Sequence, residues 1–203
     1  MLPNTHIFIA KTAYQAINKI SGIKLNYSKF LKGSIYPDIN LATLFLQHRI
    51  NDTGRIVEKN VNKLVGINIF ENSKNLDVFS FKMGIIIHFI SDYFCKVHND
   101  NWYKNPIRHY IYERKLDKYF LERKSLILQT DFSTCEDNLC IDNRLIDYVK
   151  IQNDDFREKR KSMKEDVSYS LKVSIACMLS IIRFVKKACG EEESIKKTGK
   201  RAA

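Results

Sequence analysis

The run Gly84-Ile-Ile-Ile-His-Phe-Ile-Ser-Asp-Tyr-Phe is the tightest constraint on what this chain can become. So apolar a stretch belongs in a core, and it carries into that core a histidine, His88, and a carboxylate, Asp92. The two are four residues apart, so on a helix of about 3.6 residues per turn they project from one face. An ionised aspartate held there is costly unless it is paired or bound to a metal. The run from Val78 to about Lys96 therefore predicts a buried helix with polar work to do.

The rest of the chain agrees with an all-α fold. Only 7 Gly and 3 Pro occur in 203 residues, which favours long helices over short strands joined by turns. Asn4 or Thr5 can cap a first helix through Ile7, Ala10, Ala13, Tyr14, Ile17 and Ile20. Gly22 to Pro37 reads as a loop and Leu41–Arg49 as a helix. A loop at Asn51–Gly54 then precedes a helix over Arg55–Val65. Asn72–Asn75 breaks the pattern, and Asp77 is placed to start the buried helix. Further helices are predicted at Pro106 to about Lys124, Leu145–Ile151 and Phe156–Ala188, with a polar loop at Asp131–Asn138 and Gly190 as a C-cap. The expected architecture is one compact multi-helix domain over residues 1–190, with residues 191–203 a charged, disordered tail.

The formal net charge of +11 draws the protein toward anions: phosphate esters, nucleic acid or an acidic membrane surface. Much of that charge lies in solvated segments such as Arg157–Lys164. The N-terminus lacks the features of a secretory signal, so the expected location is cytoplasmic, or secreted only if a signal is missing from the sequence. Gly84–Ile90 and Val173–Phe184 are apolar but bounded by polar residues. They read as core helix, not as a membrane span of about 18 residues or more. Cys95, Cys135, Cys140, Cys177 and Cys189 form no C-x-x-C pair, which argues for free thiols and against a thiolate zinc finger. Cys95 lies three residues after Asp92 and reads as a buried structural cysteine more readily than as a ligand.

His109 and Glu113 repeat the four-residue spacing on the next helix. A histidine and a carboxylate so placed supply one nitrogen and one oxygen, ligand types that zinc accepts. His98 falls just past the buried helix and can reach a different ion. Each pair alone is equally a hydrogen-bonded His–carboxylate pair, in the core for His88 and at the surface for His109, which Arg108, Arg114 and Lys115 surround. Two such pairs on adjacent helices favour a metal. His6, Asp38 and His48 carry no signal of this kind.

In chain order the pieces are Pro3-Asn4-Thr5-His6, Ile35-Tyr36-Pro37-Asp38, His48-Arg49, Gly84-x-x-x-His88-x-x-x-Asp92, His98-Asn99 and His109-x-x-x-Glu113. This series resembles the zinc-dependent phospholipase C family of low-GC bacteria, itself similar to the single-strand-specific zinc nucleases. The match runs from about Leu2 to Leu116 and uses every histidine in the chain. The resemblance implies an all-helical domain with a cleft holding two to three zinc ions. One would take His48, His88 and Asp92, with Asp38 beside it as general base. A second would take His98, His109 and Glu113. Asp92 would bridge to a third, held in part by His6. In the family an N-terminal Trp chelates this third ion through backbone atoms; here the chain begins with Met1, and its single Trp is Trp102.

Three functions follow as expectations. The first is a phosphodiester hydrolase of phospholipase C type, in which a zinc-bound hydroxide attacks phosphorus. It would act on a phospholipid or its head group, with transient membrane contact and no transmembrane segment. The second is a nuclease or nucleotide phosphatase using the same ions, with stacking aromatics drawn from Tyr36, Tyr93, Trp102, Tyr103 and Tyr110. The third is a non-catalytic, metal-stabilised helical or membrane-surface binding protein, which closed tetrahedral coordination would favour.

Overall fold

The computed structural model describes residues 1–43, 46–99, 105–132 and 145–190. Among them there is no strand. The helices are α1 (Pro3–Ser21), α2 (Tyr27–Ile39), α3 (Ile50–Leu64), α4 (Ser73–Tyr93), α5 (Lys96–Asn99), α6 (Pro106–Glu122), α7 (Lys124–Leu128), α8 (Leu145–Lys159) and α9 (Met163–Ala188). The fold is all-α, as the sparse breakers imply. Trp102, Tyr103, Cys135, Cys140, most of the expected Asp131–Asn138 loop and the tail at 191–203 lie outside the described residues.

α4 is the axis of the molecule. Every residue from Met83 to Tyr93 is buried, and α1, α2, α3 and α9 pack around it. Phe79, Met83, Ile86, Phe89 and Ile90 form the centre of the core, with Phe30 from α2 and Ile9, Ala13 and Ile17 from α1. α9 is long and apolar enough to cross a membrane by length and composition alone, although Val173–Phe184 reads as core helix in the sequence. In this fold, 72% of its apolar window is buried against other helices, so it serves as a core helix.

The stretch expected to be a loop before Pro37 is instead α2. Asn26 caps it, its side chain accepting from the Lys29 backbone N–H. Gly33 and Pro37 look like breakers in the sequence, yet both have places here. Pro37 falls in the last turn, two residues before the helix ends, so it costs the helix one bond without breaking its middle. Gly33 is where α2 crosses α4 backbone to backbone. A Cβ on Gly33 would stand 2.0 Å from the Phe81 carbonyl oxygen, and one on Gly84 would stand 2.2 Å from that of Phe30.

Other boundaries also differ from expectation. The described part of Leu41–Arg49 forms turns rather than helix, with the Asn40 side chain accepting from the Ala42 N–H and the Thr43 hydroxyl donating to the Pro37 carbonyl. The helix resumes at Ile50, so Asn51–Gly54 is its first turn. α4 begins at Ser73 under an Asn72 cap, and Asp77 accepts from the Asn26 amide instead of starting the helix. The predicted single helix over Phe156–Ala188 is two, because Ser162 and Glu165 form a capping box that starts α9 afresh. Gly190 does end α9, at φ 77°.

Candidate metal centre

Each candidate ligand comes from a different part of this frame. His6 lies on the inner face of α1, Asp38 in the last turn of α2, and His48 just before α3. His88 and Asp92 lie on α4, His98 on α5, and His109 and Glu113 on α6. The structure brings all eight into one cluster. His48 Nδ1 is 2.8 Å from Asp92 Oδ2, and His88 Nε2 is 3.5 Å from Asp38 Oδ1. His6 Nε2 is 3.4 Å and His98 Nε2 3.6 Å from Asp92 Oδ1. Glu113 Oε1 lies 3.3 Å from His98 Nε2 and 2.9 Å from His109 Nε2. The Met1 amine is buried in the same cluster, 2.6 Å from Asp92 Oδ1 and 3.0 Å from Glu113 Oε1.

Three groups have donor atoms close enough to share an ion: His6, His88 and Asp92; Asp38, His48 and His88; and His98, His109 and Glu113. The first two overlap at His88, which divides its one free nitrogen between them. A tetrahedron built on zinc–ligand bonds of about 2.0–2.1 Å has edges near 3.4 Å. Around His88 the measured separations are 3.1 Å to His48, 3.4 Å to Asp92 and 3.5 Å to Asp38. From His48, Asp92 and Asp38 lie at 2.8 and 3.9 Å. These distances straddle that edge.

The ring protons point outward. His88 Nδ1 faces the Ser34 carbonyl at 2.8 Å, and a carbonyl only accepts, so His88 carries its proton there. His6 Nδ1 is 3.2 Å from Ser91 Oγ, whose own proton goes to the His88 carbonyl. His6 therefore donates to Ser91, and its Nε2, buried with no hydrogen-bond partner, turns a lone pair into the cluster. His48 Nε2 faces the Thr43 carbonyl at 3.4 Å. Outer partners of this kind fix the tautomer of a metal-binding histidine. Asp38 Oδ2 is also buried without a partner. Inward lone pairs, orphaned polar atoms and carboxylates in contact form a donor set that a divalent cation such as zinc fits.

The electrostatics agree for His88, His98, Asp92 and Glu113, whereas His48, despite burial, has its pKa raised by its bond to Asp92. Burial, with His6 beside it, holds the His88 pKa well below the usual histidine range, and burial lowers that of His98, so both stay neutral. Burial opposes the Asp92 carboxylate, but the Met1 amine beside it outweighs burial and holds its pKa well below normal. Glu113 is lowered by the same amine and by hydrogen bonds from His109 and His98, against the effect of burial. Asp38 goes the other way, its pKa raised by burial.

The cluster opens into a cleft of about 580 Å³ whose walls include Asp38, His48, Arg49, His98, His109 and Glu113. Of the aromatics considered for stacking, Tyr110 lines this cleft. Tyr36 packs edge-on against Phe81, and Tyr93 is buried with its hydroxyl on Thr53. Cys95 is buried, and burial raises its thiol pKa well above normal. Sequence reasoning missed Ser34, Thr43 and Ser91. Only Ser91, between His88 and Asp92 in the motif, had a position that could have drawn attention.

A family model described as zinc dependent phospholipase C matches residues 5–172, most of the chain and all of the metal centre. No curated protein and no solved structure matches.

Proposed function

The chain belongs to the zinc-dependent phospholipase C family, and on that premise we propose that it hydrolyses a phosphodiester, with a phospholipid as substrate and two to three zinc ions in its cleft. The observation that supports this most is the inward donor set, with His6 Nε2 and Asp38 Oδ2 buried without hydrogen-bond partners and His6 Nε2 facing Asp92. In this reading Asp38, His48, His88 and Asp92 hold one ion. His98, His109 and Glu113 hold another, and His6 shares Asp92 with a third, beside the Met1 amine.

Zinc bound there supplies Lewis acidity, making hydroxide available near neutral pH and offsetting charge that develops on phosphoryl oxygens. The chain's residues supply the rest. Asp38 stands at the cleft wall, partly buried, so its carboxylate can take the proton of the attacking water. Ser34, Thr43 and Ser91 keep the rings aimed inward. Arg49, on the same wall, places a fixed positive charge where the phosphate must enter.

The test is metal content by elemental mass spectrometry, on the purified protein and on His88→Ala and His109→Ala, followed by hydrolysis assays. Two to three zinc per chain, fewer in each variant, and release of phosphorylated head group from phospholipid that stops on chelation are expected. Zinc with cleavage of oligonucleotides alone would move the substrate to nucleic acid. No zinc after zinc-supplemented expression would end the proposal.

A further inference from the structure

The two segments that wall the cleft carry an unusual share of the molecule's exposed apolar side chains. On one side, Ile39 is 66% and Leu41 80% exposed, directly after Asp38, and Leu46 lines the cleft itself. On the other, Ile107 is 73% exposed, next to Pro106 in the cleft wall, with Tyr110 and Ile111 exposed after it. Ile107 and Ile111 are one turn apart on α6 and so share a face. Exposed apolar side chains that adjoin in sequence the residues of both cleft walls, with Leu46 and Tyr110 in the lining itself, mark an interaction surface more than scattered exposure does.

Cations accompany them. Arg108, Arg114 and Lys115 are exposed on α6, and Arg49 lines the cleft, in a chain of net charge +11. Apolar side chains that dip below the head groups, with cations at head-group level, are the arrangement that holds a protein on an anionic bilayer. Nucleic acid would engage the cations and leave Ile39, Leu41, Ile107 and Ile111 without purpose.

We propose that the rim formed by Ile39, Leu41, Ile107 and Ile111 docks the cleft onto an anionic phospholipid bilayer. The choice of lipid rests on the reading of the site as a phospholipid hydrolase, but the docking is a separate property with its own measurement. Zinc-loaded protein is sedimented with vesicles of mixed phosphatidylglycerol and phosphatidylcholine, or of phosphatidylcholine alone, at low and high salt. The same preparations are assayed on a soluble short-chain phosphodiester.

Binding to the anionic vesicles that weakens with salt is expected, falling about tenfold in Leu41→Glu and in Ile107→Glu. Ile151→Glu, at another exposed site, should bind as the wild type does. All three variants should retain the soluble activity. Absence of vesicle binding, or equal binding by all variants, overturns the proposal. So does a dimer that the rim variants dissolve, since the surface would then belong to a second copy of the chain. Vesicle binding in the expected pattern without hydrolysis of either substrate would overturn the enzymatic reading and leave the docking surface standing.

Discussion

Ser91 stands between His88 and Asp92 in the chain, and between His88 and His6 in space. Its hydroxyl donates to the His88 carbonyl and accepts from His6, which fixes the nitrogen that His6 offers inward. Ser91→Ala removes that acceptor, and the affinity of the site for its most weakly held zinc should fall about 10–100-fold in chelator competition. An unchanged affinity would mean that His6 needs no outer partner. Asp38→Asn is the complementary case: the amide keeps an oxygen for the ion but cannot take a proton, so hydrolysis should fall about 10²–10⁴-fold while zinc content falls far less. At this scale much was legible. The four-residue spacings pointed to His88, Asp92, His109 and Glu113 without help. His6, Asp38 and His48 became candidates only through the family resemblance, because each lies alone on its segment and only the tertiary fold brings it to Asp92. Ser34 and Thr43 act through backbone carbonyls, which have no signature in side-chain identity.

Between helices, two features decide whether the ligands meet. The first is a buried node behind the cluster. Asp166 on α9 is fully buried and accepts from the Lys96 backbone N–H at the start of α5, from Arg160 Nε at 2.5 Å and from the Tyr112 hydroxyl at 2.5 Å. Arg160 also bonds the Tyr112 hydroxyl. The node thus ties α9 to the elements that carry His98 and Glu113. Arg160→Met leaves the Asp166 carboxylate buried with its cation gone, at a cost of about 3–5 kcal/mol in urea denaturation. A loss under 1 kcal/mol would show that Tyr112 and Lys96 suffice. The second feature is the Gly33–Gly84 crossing. Gly84→Ala forces a methyl group toward the Phe30 carbonyl and should cost about 3 kcal/mol. Helix existence was legible for α1, α4 and α6, whose apolar periodicity is strong. α2 was not, since a glycine used for close approach and a proline in a last turn look like loop residues to any local rule. The break before α9 was missed for the opposite reason: apolar residues on either side of Ser162 keep a helical period, and only the capping box interrupts it.

For the molecule as a whole, the cluster loads one buried place with carboxylates, imidazoles and an amine drawn from α1, α2, α4, α5, α6 and the segments just before α1 and α3. That arrangement couples the metal to folding, because the unfolded chain has no site to offer. Chelation should therefore lower the thermal midpoint and reduce stability by about 4 kcal/mol at zinc concentrations a thousand times the dissociation constant. Calorimetry with and without chelator measures this, and identical midpoints would show that the helices hold the cluster together unaided. The all-α class was legible at this scale from the scarcity of Gly and Pro. The apolar rim was not, since exposure is a property of the assembled surface.

The Gly33–Gly84 crossing also acts as a spacer between two of the candidate ligands. Asp38 follows Gly33 by five residues and His88 follows Gly84 by four, so the gap between the two backbones sets how far apart an oxygen and a nitrogen can stand. With nothing wider than hydrogen between the helices, those donors stand 3.5 Å apart, a span matched to bonds of about 2.0–2.1 Å. A nitrogen facing a carboxylate oxygen suits zinc better than calcium, which collects about six to eight oxygens. The pair of missing side chains thus sets the span across which an ion would have to be held.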